Sequence, residues 1–284
     1  MSNLGKTIRI YLDDGNVSGI RHGEIINWTG QAVCSPRTKV AQLTNWEEVT
    51  KPGVYFLFGE DEQTERQAVY IGEAENVFER LKTHRTTKDF WNEVIIFTSK
   101  DENLTKSHVK YLEATLIQLA KEANRYSLQN GNDPNLPVLP RGDRASMEEF
   151  VLNLRVLLGA LGHKLLEPLA SKEAEKTSLK LFLKVKDIQA TALLTDEGIV
   201  VLKDSLIVGK TKPSLSNGDQ KRIQTMIQTG IIKENKNGSY TFTQDHLFSS
   251  PSQASAIILG RPDNGRSTWR TKTGKNLNQL DDLT

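Results

Sequence analysis

One cysteine, Cys34, stands in 284 residues, so no intramolecular disulfide can brace this chain. The sequence has no basic-then-apolar leader and no apolar run of about 18 residues, so neither export nor membrane insertion is expected. A reducing cytoplasm is the expected setting. Net charge is only +2, which argues against indiscriminate coating of DNA and requires any nucleic-acid surface to come from local clustering of cations. The absence of a Gly-rich phosphate loop argues against an enzyme acting on a small phosphorylated metabolite. What remains, 37% hydrophobic and 25% charged residues, is a soluble globular composition in a chain long enough for two domains.

Within it, two short apolar strands each carry a tyrosine. In Gly53-Val54-Tyr55-Phe56-Leu57-Phe58-Gly59, Val54, Phe56 and Phe58 point one way and Tyr55 and Leu57 the other. In the second strand Val69 and Ile71 share a face and Tyr70 points away from them. The acidic residues 60–66 read as a hairpin loop, which brings both phenols to the same side of a small sheet. A helix follows in which Val77, Phe78 and Leu81 form the apolar stripe. Arg80 and His84, one turn apart on an adjoining face, can approach one anion together. A second helix, residues 107–123, has an apolar face of Val109, Leu112, Leu116, Ile117, Leu119 and Ala120 with Glu113 inside it. A carboxylate among aliphatics is costly unless it is protonated, paired with a cation such as Arg80, or bound to a metal.

These residues resemble the GIY-YIG nucleases. The resemblance rests on Gly53-Val54-Tyr55, with Val for Ile, on Tyr70-Ile71-Gly72, on Arg80 and His84 in the following helix, and on Glu113 in a later one. It covers roughly residues 50–130. The family's last site residue is an asparagine, for which Asn124 and Asn130 are both candidates, Asn130 being favoured because it precedes a Gly/Pro-rich stretch. The resemblance implies a small antiparallel sheet flanked by helices and a phosphodiester hydrolase acting on DNA, with RNA left open. It also implies one divalent cation, Mg²⁺ or Mn²⁺, held by Glu113, and products with a 5′ phosphate and a 3′ hydroxyl. Arg80 would neutralise charge on the phosphorus oxygens, Tyr55 would position or deprotonate the water, and Tyr70 and His84 would share proton relay and phosphate contacts. The competing expectation is a noncatalytic nucleic-acid-binding scaffold that retains the nuclease fold.

The expected fold class is α+β, in four parts. Residues 1–45 form a β-rich segment, opening with the alternating Thr7-Ile8-Arg9-Ile10-Tyr11-Leu12 and containing Trp28, taken as a core anchor. Residues 46–145 form the nuclease-like domain, ending in a Pro/Gly/Asn-rich surface linker from residue 130. Residues 146–170 form a helical connector, with Ser146 and Glu149 as a capping box ahead of a strongly apolar helix that needs a partner surface. The charged residues 171–177 mark the boundary to a separate α+β domain at 178–284, with a helix near 218–229 and a hairpin at Asn237-Gly238.

The tail combines Phe248-Ser249-Ser250-Pro251-Ser252-Gln253-Ala254-Ser255-Ala256, Leu259-Gly260-Arg261 and Asn264-Gly265-Arg266-Ser267-Thr268-Trp269-Arg270. It resembles the DUF4357 domain, which stands at the end of bacterial nuclease and restriction-associated proteins. That company implies a role in restriction or defence. Arg261, Arg266, Arg270 and Lys272 surround Trp269 in sequence, and two expectations follow: phosphate contact with base stacking on an exposed Trp269, or a solvated basic loop with Trp269 turned inward. A homo-oligomer is left open, since cutting two strands from one site needs two subunits or two encounters.

Overall fold

The computed structural model describes residues 5–61, 66–170 and 178–281. The chain divides into two units, Met1–Pro168 and Leu169–Thr284, and the fold is α+β in both. The charged residues 171–177 lie outside the described residues, as do residues 62–65 of the hairpin loop.

The first unit is built on a seven-stranded sheet of β1 (Ile8–Leu12), β2 (Arg21–Ile25), β3 (Gly30–Pro36), β4 (Gly53–Asp61), β5 (Arg66–Ala74), β6 (Trp91–Ser99) and β7 (Ser127–Leu128), in the order β1-β2-β3-β6-β4-β5-β7. All neighbours are antiparallel except β5 and β7. The β-rich opening is thus continuous with the tyrosine strands, because β3 pairs with β6 from Gly30↔Ser99 to Pro36↔Glu93. Residues 53–58 are buried on both faces of the sheet, which explains why this strand is apolar throughout rather than alternating with polar residues. One face sends Val54, Phe56, Ile71 and Phe97 against α2 (Lys106–Ala123) and α3 (Arg141–Ala160). The other sends Tyr55, Leu57 and Ile96 against α1 (Val77–Thr87) and two 3-10 segments, Arg37–Asn45 and Glu47–Thr50.

Two expectations need correction here. Helix α3 begins at Arg141, not at residue 146, with Pro140 as its N-cap residue. Proline fixes φ without needing a donor at a helix start, and Asp143 in the first turn favours the positive helix end, so the helix nucleates one turn earlier. Ser146 and Glu149 therefore lie inside the helix and form no capping box. The partner of this apolar helix is the sheet of its own unit, through Met147, Phe150, Leu154 and Leu157. Trp28 is half-buried and packs on Phe150 with ring centroids 4.9 Å apart.

The second unit holds two sheets. One, ordered β14-β10-β9-β8, comprises β8 (Leu179–Val185), β9 (Ile188–Thr195), β10 (Gly198–Val201) and β14 (His246–Phe248). The other, ordered β11-β13-β12, comprises β11 (Leu206–Ile207), β12 (Ile232–Glu234) and β13 (Tyr240–Phe242), with the turn between the last two at Asn237-Gly238 and Gly238 at φ 78°. Helix α4 (Asn217–Gln228) and the buried α5 (Pro251–Leu259) complete its core, followed by the short α6 (Gly265–Thr268) and α7 (Leu277–Asp281). No helix among the described residues is long and apolar enough to cross a membrane.

Candidate active site

The register of β4 on β5 pairs Tyr55 with Gly72 and Leu57 with Tyr70, so the two tyrosines share the α1 face, with ring centroids 6.3 Å apart. Tyr55 is fully buried, and its ring lies across Gly72: a Cβ there would stand 2.5 Å from Tyr55 Cζ, well inside van der Waals contact. The glycine in Tyr70-Ile71-Gly72 is therefore what leaves room for the phenol. Gly53 and Gly59 at the two ends of the same strand segment allow close approach of the β6 backbone and of Phe90.

Helix α1 starts at Asn76, whose side chain accepts from the Glu79 backbone N–H at 3.1 Å. That start places Arg80 one turn in and His84 two turns in. His84 is 3% exposed and its Nε2 lies 2.8 Å from Tyr55 Oη, while the ring also sits edge-on to Tyr70 at 5.2 Å. Burial, together with the charges of Arg80 and Lys88, holds the His84 imidazole down to about 4 against an ordinary 6.5. Burial pushes the Tyr55 phenol above its ordinary value, the neighbouring Tyr70 adds to this, and a hydrogen bond with Arg80 opposes it. At neutral pH the pair is a protonated phenol and a neutral imidazole, and in the tautomer with its proton on Nδ1 the ring accepts the Tyr55 Oη–H at Nε2. His84 Nδ1 is buried with no hydrogen-bond partner among the described residues. Trp91 Nε1 and Arg21 Nε share this status among the described residues.

Glu113 projects from α2 towards the end of β5, where it accepts from the Glu73 backbone N–H. Burial, and then the Glu73 carboxylate, push it up to about 7, and Arg80 pulls the other way. Among the described residues Glu113 has no ion-pair partner within 4 Å, so the salt bridge to Arg80 that sequence suggested as a bland explanation is not formed. The charge of Arg80, which is exposed, nonetheless acts on Tyr55 and Glu113 alike. No group of three or more His, Cys, Asp or Glu side chains among the described residues could hold a metal ion by itself. Glu113 with Glu73 beside it is an oxygen-only donor pair, which suits a hard divalent cation that keeps water and substrate oxygens in its shell.

The two candidate asparagines have different places. Asn130 Oδ1 accepts from the Ile71 backbone N–H at 3.1 Å and its Nδ2 donates to the Ile71 carbonyl at 2.7 Å, so the amide substitutes for a neighbouring strand just beyond the two residues of β7. It fixes the backbone between Tyr70 and Gly72. Asn124 instead ends α2 in the left-handed conformation, φ 50°, and its carbonyl accepts from Arg66.

Sequence reasoning missed two residues of this site. Lys88, just past α1, places its Nζ 4.2 Å over the Tyr70 ring, and Glu73 is the second carboxylate. Lys88 sits one turn beyond His84, so the helical spacing that singled out Arg80 and His84 would have found it if carried one step further.

The tail is corrected. Trp269 is fully buried, and its indole N–H donates to the Pro251 carbonyl at 3.1 Å, so it cannot stack on a base. The surrounding motif builds this packing: Ser250 caps α5, Pro251 occupies its first turn, Ser252 Oγ accepts from the Gly265 N–H, and a Cβ on Gly265 would overlap the Pro251 backbone. Arg266 and Arg270 are exposed, and each donates within the tail, to Asn278 Oδ1 and to the Gly274 carbonyl, both at 2.9 Å. Lys272 is exposed, and Arg261 is half-buried in a different setting.

Residues 181–281 match the family model described as a domain of unknown function, DUF4357. The match spans nearly the whole described second unit and agrees with the resemblance of the tail. No curated protein and no solved structure matches the chain.

Proposed function

We propose that the first unit is a GIY-YIG nuclease domain and that the protein is a divalent-cation-dependent endonuclease of DNA, acting in restriction or defence. The observation that carries this reading is the Tyr55–His84 hydrogen bond laid over Gly72, within reach of Arg80's charge. A scaffold has no need of a buried phenol–imidazole pair beside an exposed guanidinium.

Phosphodiester hydrolysis requires that a water lose a proton, that charge on the phosphorus oxygens be stabilised, and that the P–O3′ bond break. A free phenolate is a poor candidate base here, because burial disfavours it. The hydrogen bond offers another path: as the water gives its proton to Tyr55 Oη, Tyr55 passes its own to His84 Nε2, and a bound phosphate anion beside Arg80 would offset the burial and the cations that otherwise disfavour the imidazolium. Arg80, exposed beside the phenol, stabilises the nonbridging oxygens, and Lys88 next to Tyr70 adds a second cation on the same side. Asn130 holds the strand that carries Tyr70. Mg²⁺ or Mn²⁺ held by Glu113 with Glu73 would supply charge for the phosphate and the departing 3′ oxygen.

The test is cleavage of supercoiled plasmid and labelled single-stranded DNA with Mg²⁺, Mn²⁺ or chelator, by the wild type and by Glu113→Ala. Nicking that needs the cation and vanishes in the variant is expected. Binding of DNA with no cleavage under any condition would replace this reading with the noncatalytic scaffold.

A further inference from the structure

The second unit contains a cleft of about 730 Å³ formed by four stretches far apart in sequence. These are the β8–β9 turn at Lys186 and Asp187, the segment after β11 through Lys210 and Lys212, the Asn237-Gly238 turn, and Arg261 just past α5. The volume lies within the usual range for ligand sites. Its rim carries Lys186, Lys210, Lys212 and Arg261 against the single carboxylate of Asp187, a local excess of three positive charges, 4 − 1, compared with +2 for the whole chain. None of the four cations is in an ion pair among the described residues, although the chain has nearly as many acidic as basic side chains with which to pair them. Four unneutralised cations gathered on one concavity repel one another and are held there by the fold. Lys186 adds to this cost: it sits at φ 53°, a left-handed position that favours glycine, asparagine or aspartate, yet carries a cation to the rim. The floor is aliphatic, from Ile188, Leu206 and Val208, and the lining contains no aromatic ring.

From this we infer that the cleft is a binding site for the phosphodiester backbone of DNA, the part of the second unit that holds the strand while the first unit cuts. The chemistry favours backbone over bases. Lysines are point charges suited to phosphate, sequence-reading hydrogen bonds are better made by planar forks, and a floor without aromatics offers a surface for sugars but no stacking platform. The site differs from the basic tail around Trp269 and has only Arg261 in common with it. The choice of nucleic acid as ligand rests on the nuclease reading above, and the test separates the two.

The full chain is titrated in chelator against a fluorescein-labelled duplex over a range of salt, by anisotropy, as wild type, as Lys210→Glu/Lys212→Glu and as Lys233→Glu, an exposed lysine outside the cleft. Circular dichroism melts confirm that all three are folded alike. The double reversal is expected to weaken binding at least about tenfold and to lower the slope of log affinity against log salt by about two, one per lost phosphate contact, with Lys233→Glu close to wild type. Equal loss in both variants, or none in either, overturns the cleft assignment. So does tighter binding of an acidic peptide than of DNA at the same cleft. Binding that depends on Lys210 and Lys212 in a protein that never cleaves would uphold the cleft and remove the nuclease.

Discussion

The two units carry their candidate functional groups in opposite ways. In the first, the reactive groups are withdrawn from water: Tyr55 and His84 are buried, Glu113 is partly buried, and their protonation is set by burial first and by neighbours second. In the second, Lys186, Lys210 and Lys212 are exposed and Arg261 is half-buried around one cleft, and in the reading proposed above they act by number rather than by individual tuning. The contrast fits the two proposed tasks. Proton transfer needs fixed distances and a dielectric low enough for one charge to move another's pKa, whereas holding a polyanion needs positive potential that salt can screen. Mutations should therefore act sharply in the first unit and gradually in the second.

The sharpest expected break is at Gly72. A methyl there displaces the Tyr55 ring, so Gly72→Ala should lower the single-turnover cleavage rate by about 100-fold or more while DNA affinity is kept, a loss typical of removing a general base. Unchanged turnover would mean that the Tyr55–His84 contact is only packing. In the second unit Trp269→Ala should cost about 3–5 kcal/mol of that unit's stability, measured by urea unfolding, because a fully buried indole and its hydrogen bond are lost. Weaker DNA binding with no loss of stability would instead restore Trp269 as a contact residue. Asn130→Ala should cost about 1–3 kcal/mol by leaving both Ile71 backbone groups unpaired, with a smaller fall in turnover than Gly72→Ala.

The smallest effect is the pH dependence. Because the folded state holds His84 at about 4 against 6.5, the unfolded chain takes up this proton first as pH falls, and the contribution of His84 to stability declines from about pH 6.5 towards 4, while Glu113, pushed up to about 7, binds its proton first in the folded state and acts in the opposite direction. Burial raises the Glu93 carboxyl, but His163 and Arg21 outweigh it and leave it below its ordinary range. Its contribution is therefore present above that ordinary range and is lost as pH falls through the depressed value. On going from pH 7 to pH 5 the urea midpoint should fall less, or rise more, in His84→Gln than in the wild type. An equal change would assign the acid sensitivity elsewhere.

The tyrosine strands and both helices behind them were legible because their information is local. Alternation placed Tyr55 and Tyr70 on one face, and helical spacing put Arg80 and His84 one turn apart. What the glycine of Tyr70-Ile71-Gly72 does was not legible, since the ring it admits comes from the neighbouring strand. Trp269 was misplaced when read as a base-stacking contact because cations beside it in sequence are not beside it in space, where Pro251 and Gly265 enclose it. Ser250, Pro251 and Gly260 do spell the two ends of a buried helix and could have indicated the inward ring. The cleft was out of reach for a stronger reason: Lys186, Lys210 and Arg261 are brought together only by tertiary folding.

The most direct test of the division between the units is the single-turnover nicking rate at saturating protein and Mg²⁺, compared between Glu113→Ala and Lys210→Glu/Lys212→Glu. The first variant is expected to bind DNA and not to cut it, and the second, once saturated, to cut at close to the wild-type rate. Wild-type cleavage by Glu113→Ala, or a cutting rate lost equally in both variants at saturation, would contradict that division.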